Sequence, residues 1–153
     1  MRGTDTYLST RATHPDQKSV DKYRRIVIEM IVGVPKEIKN HEYRVGITPA
    51  GVGEFVKLGH KFLVEKGAGL GGGFTDDEYS SAGATMIDSH KDLYAESEMI
   101  YKIKEPLPEE YSLLRENQIV FTFFHFASDE KLTRGCIDRK IIAIAYETIE
   151  LYD

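Results

Sequence analysis

From Met30 onward, short apolar runs alternate with segments whose apolar residues recur at helical spacing. The runs are Ile31–Val34, Phe62–Glu65, Met99–Ile103, Ile119–Phe124 and Ile141–Tyr146, each of strand length. Their continuous apolar character, without in–out alternation, predicts strands of a parallel sheet buried on both faces. Between the first two runs, Thr48-Pro49 supplies an N-cap and a proline at the first helical position. Val52, Phe55, Val56 and Leu58 then share one face, and Gly59 stops the helix. A short helix is expected from Thr75, with Asp76, Asp77 and Glu78 at its positive end and a stop by Gly83. A third is expected over Ser89–Ala95, and a fourth over Ser128–Asp138 with Ser128 as its cap. Strands alternating with helices predict an α/β domain, a mainly parallel sheet with helices on both faces, Rossmann-like or flavodoxin-like.

Composition narrows the class. The 153 residues fit one domain. With 41% hydrophobic and 29% charged residues, the chain reads as globular and soluble. A net charge of -5 offers no basic face to nucleic acid, and no apolar run nears the roughly 18 residues of a membrane span. The single cysteine, Cys136, rules out an internal disulfide and suits a reducing cytoplasm; it reads as a small helix residue. Residues 1–29 are polar and lack sustained periodicity. Their acids, Asp5, Asp16 and Asp21, spoil a transit-peptide pattern, so a disordered or non-native extension is expected there.

Four segments invite chemistry. Gly67, Gly69 and Gly72 match G-x-G-x-x-G after a strand, with Asp88 about 20 residues on. That fingerprint requires the glycines to open a helix, whereas the next helix begins near Thr75, so a close-packed turn is the better reading. The stretch Pro35–Val45 follows the first strand directly, where a parallel sheet places binding loops. Arg44 within it offers a planar fork of donors for a carboxylate, or else a surface salt bridge. Lys104 ends a strand that Pro106 terminates. It can donate to a carbonyl oxygen, or simply pair with Glu105 at a solvent-facing strand end. By the two-residue period, Lys102 and Lys104 are expected on one side of that strand. His125 closes the run Phe121-Thr122-Phe123-Phe124, either as a packed imidazole or as a proton shuttle. His14, His41, His60 and His90 lie in tail, loop or polar stretches and make no metal-ligand spacing with it. Taken together, Arg44, Lys104 and His125 would suit an α-keto acid.

Met30–Glu37, Glu42–Pro49, Gly67-Ala68-Gly69, Gly73–Asp76, Ala82-Gly83-Ala84, Lys102–Pro106, Phe121–Ala127 and Ala145–Thr148 resemble, in order, the opening of the alanine dehydrogenase and nicotinamide nucleotide transhydrogenase family. The resemblance covers Met30 to about Thr148. His125 and Lys104-Glu105-Pro106 look like the alanine dehydrogenase branch, since transhydrogenase chains usually lack that histidine. The resemblance implies reversible NAD-dependent oxidative deamination of L-alanine to pyruvate and ammonia. Arg44 would hold the substrate carboxylate, Lys104 would bind the keto or amino centre, and His125 would be the general acid/base. It also implies that residues 30–153 form the substrate-binding domain and that NAD is bound by a later domain lying outside these residues. The resemblance implies a homo-oligomer for the full-length protein, commonly a hexamer, and a cytoplasmic location is expected. Such a chain alone would be inactive or nearly so. Two alternatives remain open: a non-catalytic fragment that binds a keto acid or a partner, and an N-terminal piece of a transhydrogenase alpha subunit.

Overall fold

A computed structural model describes residues 29–150. The expectation for residues 1–29 therefore falls, except for Glu29, outside the described residues. Six strands form one all-parallel sheet: β1 (Ile31–Val34), β2 (Lys61–Glu65), β3 (Thr85–Ile87), β4 (Met99–Lys104), β5 (Ile119–Phe123) and β6 (Ile142–Ala145). The order is β3-β2-β1-β4-β5-β6. This is the doubly wound order of Rossmann-type domains and not the flavodoxin order. The chain direction across the sheet reverses between β1 and β4, so a crevice opens at their carboxyl ends.

Helices cover both faces, and alternation along the strands decides which core each side chain joins. Val32, Val34, Phe62 and Val64 meet Val52 of α1 (Pro49–Lys57) and Tyr79 of α2 (Asp76–Ser81). Leu63, Ile100, Val120 and Phe124 meet Leu93 and Tyr94 of α3 (His90–Glu96) and Leu132 and Cys136 of α5 (Glu130–Arg139). The expected caps form at α1, where Thr48 Oγ1 accepts from Gly51 N at 3.3 Å. They form also at α2, where Thr75 and Glu78 close a reciprocal capping box.

The structure departs from the sequence pattern in four places. β3 is a three-residue edge strand, too short to carry a period. α4 (Pro108–Tyr111) is a single turn with proline at its first position. The cap of α5 is Asp129, whose Oδ1 accepts from Leu132 N at 3.0 Å; Ser128 belongs to a preceding 3-10 turn, Phe126–Ser128. A carboxylate is the stronger acceptor for the exposed N–H groups of a helix start. Lastly, β6 is an edge strand whose Ile142 and Ile144 are exposed, so burial on both faces does not extend to it.

Candidate functional site

The loop after β1, the ends of β4 and β5, and the start of the segment after β6 meet at the switch-point crevice. The β1 loop is fastened to β4 at several points. Glu37 Oε1 accepts from Ile103 N at 2.6 Å and from Lys104 N at 3.3 Å. Lys39 Nζ pairs with Glu105 Oε1, so Glu105 is engaged by the loop and does not neutralise Lys104. Gly46 lies against β4 so closely that a Cβ there would stand 2.6 Å from the Tyr101 carbonyl oxygen.

Arg44 sits on this loop. Its Nε donates to Glu42 Oε1 at 2.7 Å and its Nη2 to Glu42 Oε2 at 2.5 Å, so Glu42 grips the guanidinium bidentately. The Glu42 side chain is 6% exposed and that of Arg44 61%, so the fork is fixed from behind while its outer edge stays open to solvent. The Arg44 hydrogen bonds pull the Glu42 carboxyl down to about 2, and the charge of Lys104 acts on it in the same direction. The surface ion pair and the carboxylate grip are thus compatible readings, because the remaining N–H donors still face outward.

The β4–β5 ladder explains where Lys104 lies. Tyr101 pairs with Phe121 and Lys104 with Phe123, so three steps along β4 match two along β5. This bulge inserts one residue and resets the alternation. Lys102 points into the core, 1% exposed, while Lys104 stands level with Phe123 on the opposite face. The expectation that the two lysines share a side is therefore corrected. No described residue accepts a hydrogen bond from the Lys104 ammonium.

His125 lies two residues beyond Phe123, and its imidazole stacks on that ring with centroids 5.9 Å apart and planes 9° from parallel. Phe123 and Phe121 pack in turn on Tyr146, at 4.6 and 4.3 Å between centroids. Tyr146 Oη donates to Lys102 O at 2.9 Å, and burial keeps this phenol neutral by raising its pKa. The His125 backbone is left-handed, at φ 54° and ψ 39°. Three hydrogen bonds hold it there: His125 N donates to Glu147 Oε1 at 2.7 Å, and its carbonyl accepts from Ser128 N and Ser128 Oγ at 2.9 and 2.8 Å. Partial burial pushes the Glu147 carboxyl up, but the His125 N–H and the other donors outweigh it and lower the pKa. A non-glycine residue in this conformation stores on the order of 1–3 kcal/mol, the kind of strain that surrounding structure over-determines at working sites.

The three residues named from sequence lie on the β1 loop, at the end of β4 and just past the end of β5. Arg44 and Lys104 both act on Glu42, and Lys104 and His125 share Phe123. Sequence reasoning missed Glu37, Glu42, Tyr146 and Glu147. The signal was partly present, since Glu42 precedes Arg44 by two positions and Glu37 belongs to the same loop. It also passed over His90, which lies between the half-buried carboxylate of Glu65 and the buried one of Glu110, with Nδ1 2.6 Å from Glu65 Oε2 and Nε2 3.4 Å from Glu110 Oε1.

The glycine cluster has a packing role. Gly67 and Gly73 take positive φ of 75° and 86° around a 3-10 turn, Leu70–Gly72. At Gly71 a Cβ would stand 2.6 Å from the Tyr43 carbonyl oxygen, so the cluster props the loop that carries Arg44. No helix opens on these glycines, and they do not fit a dinucleotide pyrophosphate. Among the described residues no group of three His, Cys, Asp or Glu side chains is arranged for a metal ion.

The family profile described as "Alanine dehydrogenase/PNT, N-terminal domain" matches residues 33–153. The chain is 54% identical over 124 residues to an alanine dehydrogenase of Methanococcus maripaludis, covering 81% of this chain and 33% of that protein. Against an alanine dehydrogenase of Bacillus subtilis it is 50% identical over 120 residues, 78% of this chain and 32% of the relative. Among solved structures, an L-alanine dehydrogenase superposes with a TM-score of 0.78 at 48% identity, over 80% of this chain and 34% of the other. A transhydrogenase from Sinorhizobium meliloti superposes at 0.74 with 27% identity, over 80% and 35%. This chain spans about a third of the length of the relatives it matches. By the matched profile, the sequence identity and the shared fold, the chain belongs to the alanine dehydrogenase/PNT N-terminal domain family.

Proposed function

We propose that residues 30–153 are the substrate-binding portion of an NAD-dependent L-alanine dehydrogenase, which converts L-alanine, water and NAD to pyruvate, ammonia and NADH. The observation that supports this reading is the Arg44 guanidinium pre-oriented by Glu42 on the loop tied to β4, whose Lys104 pairs with Phe123, the ring on which His125 stacks. Identity of about half to proteins named alanine dehydrogenase, against 27% to the transhydrogenase structure, favours this branch over the other.

The roles follow from chemistry. Glu42 takes two of the N–H donors of Arg44, and the others are free to hold a substrate carboxylate in a planar fork. Lys104, brought to the crevice face by the bulge, donates to the C2 oxygen of pyruvate and stabilises the charge that builds there as ammonia adds. His125 moves the proton between that oxygen or nitrogen and solvent. The glycine turn does not fit NAD, so the cofactor belongs to residues outside 29–150 and the described residues perform no hydride step. Homo-oligomeric assembly and a cytoplasmic location are parts of the same proposal; among the described residues no helix is long and apolar enough to cross a membrane.

The test is complementation. NADH oxidation driven by pyruvate and ammonia is expected to be near zero for this chain alone and to appear on mixing with a separately produced cofactor-binding portion of a relative. Arg44→Ala or His125→Ala that leaves the restored activity unchanged would refute the assignment of roles.

A further inference from the structure

A buried ionic chain runs behind Lys104. The Lys102 ammonium donates to Glu110 Oε1 at 2.6 Å and lies 3.7 Å from Glu37 Oε2. Glu110 Oε1 also accepts from Tyr94 Oη at 2.6 Å, and the imidazole of His90 bridges Glu110 to Glu65. Glu65 Oε2 accepts from Lys36 N at 2.8 Å. The chain thus leaves the β1 loop at Lys36, crosses the core and returns through Glu37 to the end of β4. Burying ions carries a desolvation penalty that apolar residues filling the same space would not. An arrangement this expensive calls for a positional reason.

The bulge in β4 supplies one. An extra residue between Tyr101 and Lys104 shifts the ladder with β5, and pairing with β1 stops at Gly33 and Ile100, so N–H groups at the end of β4 extend beyond regular strand pairing. Glu37 Oε1 takes two of them, Ile103 N and Lys104 N. Without the bulge, Lys104 would fall on the side of Lys102, away from Phe123 and His125. We infer that Glu37 is a positioning residue: by accepting the Ile103 and Lys104 amides it holds the β4 bulge and sets Lys104 on the crevice face. Burial raises the Glu37 carboxyl pKa, with Lys102 and the two amides opposing. An acceptor oxygen is nevertheless available to both amides in either protonation state, so the role lies in the oxygen and not in the charge. The consequence for substrate rests on the proposed role of Lys104; the consequence for the backbone does not.

The 153-residue chain, Glu37→Gln and Glu37→Ala are compared by amide hydrogen exchange and by pyruvate titration in NMR. Glutamine keeps an oxygen in place. In that variant the Ile103 and Lys104 amides should stay protected and most of the pyruvate affinity should remain. Alanine should deprotect both amides and weaken pyruvate binding about tenfold or more, while Leu93 and Val120 signals stay native. Deprotection in Glu37→Gln, or protection surviving in Glu37→Ala, overturns the inference. If the alanine variant fails to fold, the glutamine variant decides by the same exchange. A wild-type chain that ignores pyruvate would defeat the substrate reading, and the exchange result would still decide the role of Glu37.

Discussion

A guanidinium already clamped by one carboxylate is a better ligand for a second than a free one, because its orientation entropy is spent in folding. Arg44 is in that state: Glu42 holds two of its donors in a bidentate pair. Lysine at this position keeps the charge and loses the fork. We therefore expect Arg44→Lys to weaken pyruvate binding about tenfold, a loss of about 1.4 kcal/mol, as read by NMR titration of the chain. The residue itself was legible in sequence because its loop follows a strand. Glu42 was not, because nothing in one dimension shows that this carboxylate, among many in the chain, turns back under the guanidinium. The same holds for His125. Its place at a strand end was readable, but its left-handed backbone and its anchors Glu147 and Ser128 come from segments that meet only in the fold.

At the scale of elements, the glycine cluster and the β4 bulge do the positioning. Gly71 lies against Tyr43, and a methyl group there would stand 2.6 Å from the Tyr43 carbonyl oxygen, so the loop must shift to admit it. Gly71→Ala is expected to shift the amides of residues 41–46 in a ¹H–¹⁵N spectrum and to weaken pyruvate binding, while the signals of β5 and α5 stay in place. The end of α5 offers an independent check on its geometry. Lys140 caps the helix in the left-handed region at φ 51°, where glycine carries no Cβ penalty. Its ion pair with Glu116 is exposed and contributes little. Lys140→Gly should raise stability by about 1 kcal/mol in urea unfolding. Long, strongly patterned elements were readable in advance; β3 and α4, at three and four residues, were not, since tertiary pairing and a proline turn make them. The bulge escaped for a related reason. Strict alternation put Lys102 and Lys104 on one side, and only pairing with β5 reveals the added residue.

The molecule as a whole is a doubly wound sheet with a charged seam through its core. Desolvation opposes the charge on His90, but its hydrogen bonds to the Glu110 and Glu65 carboxylates and their negative charges outweigh it and raise its pKa from 6.5 to about 9. The sign follows from linkage. The folded chain keeps a proton that the unfolded chain releases near 6.5, so this contribution is complete below 6.5 and is lost as pH rises through about 9. Urea midpoints should fall between pH 6.5 and pH 9.5, and His90→Gln should flatten that slope. Glu42 works at the other end: its carboxyl is lowered to about 2, so the Arg44 clamp is complete above 4.5 and is lost toward pH 2. Of the fold, the parallel α/β class was legible from run length and capping residues. The strand order and the seam were not, because both depend on contacts between segments far apart in sequence.

Arg44, Lys104 and His125 are proposed to form one keto-acid site at the carboxyl ends of β1, β4 and β5. Titrating the ¹⁵N-labelled 153-residue chain with pyruvate tests it most directly. Saturable shifts concentrated at Arg44, Lys104 and the His125 imidazole are expected, with their loss in Arg44→Ala. A spectrum unchanged by pyruvate, or shifts that map elsewhere and survive Arg44→Ala, would contradict it.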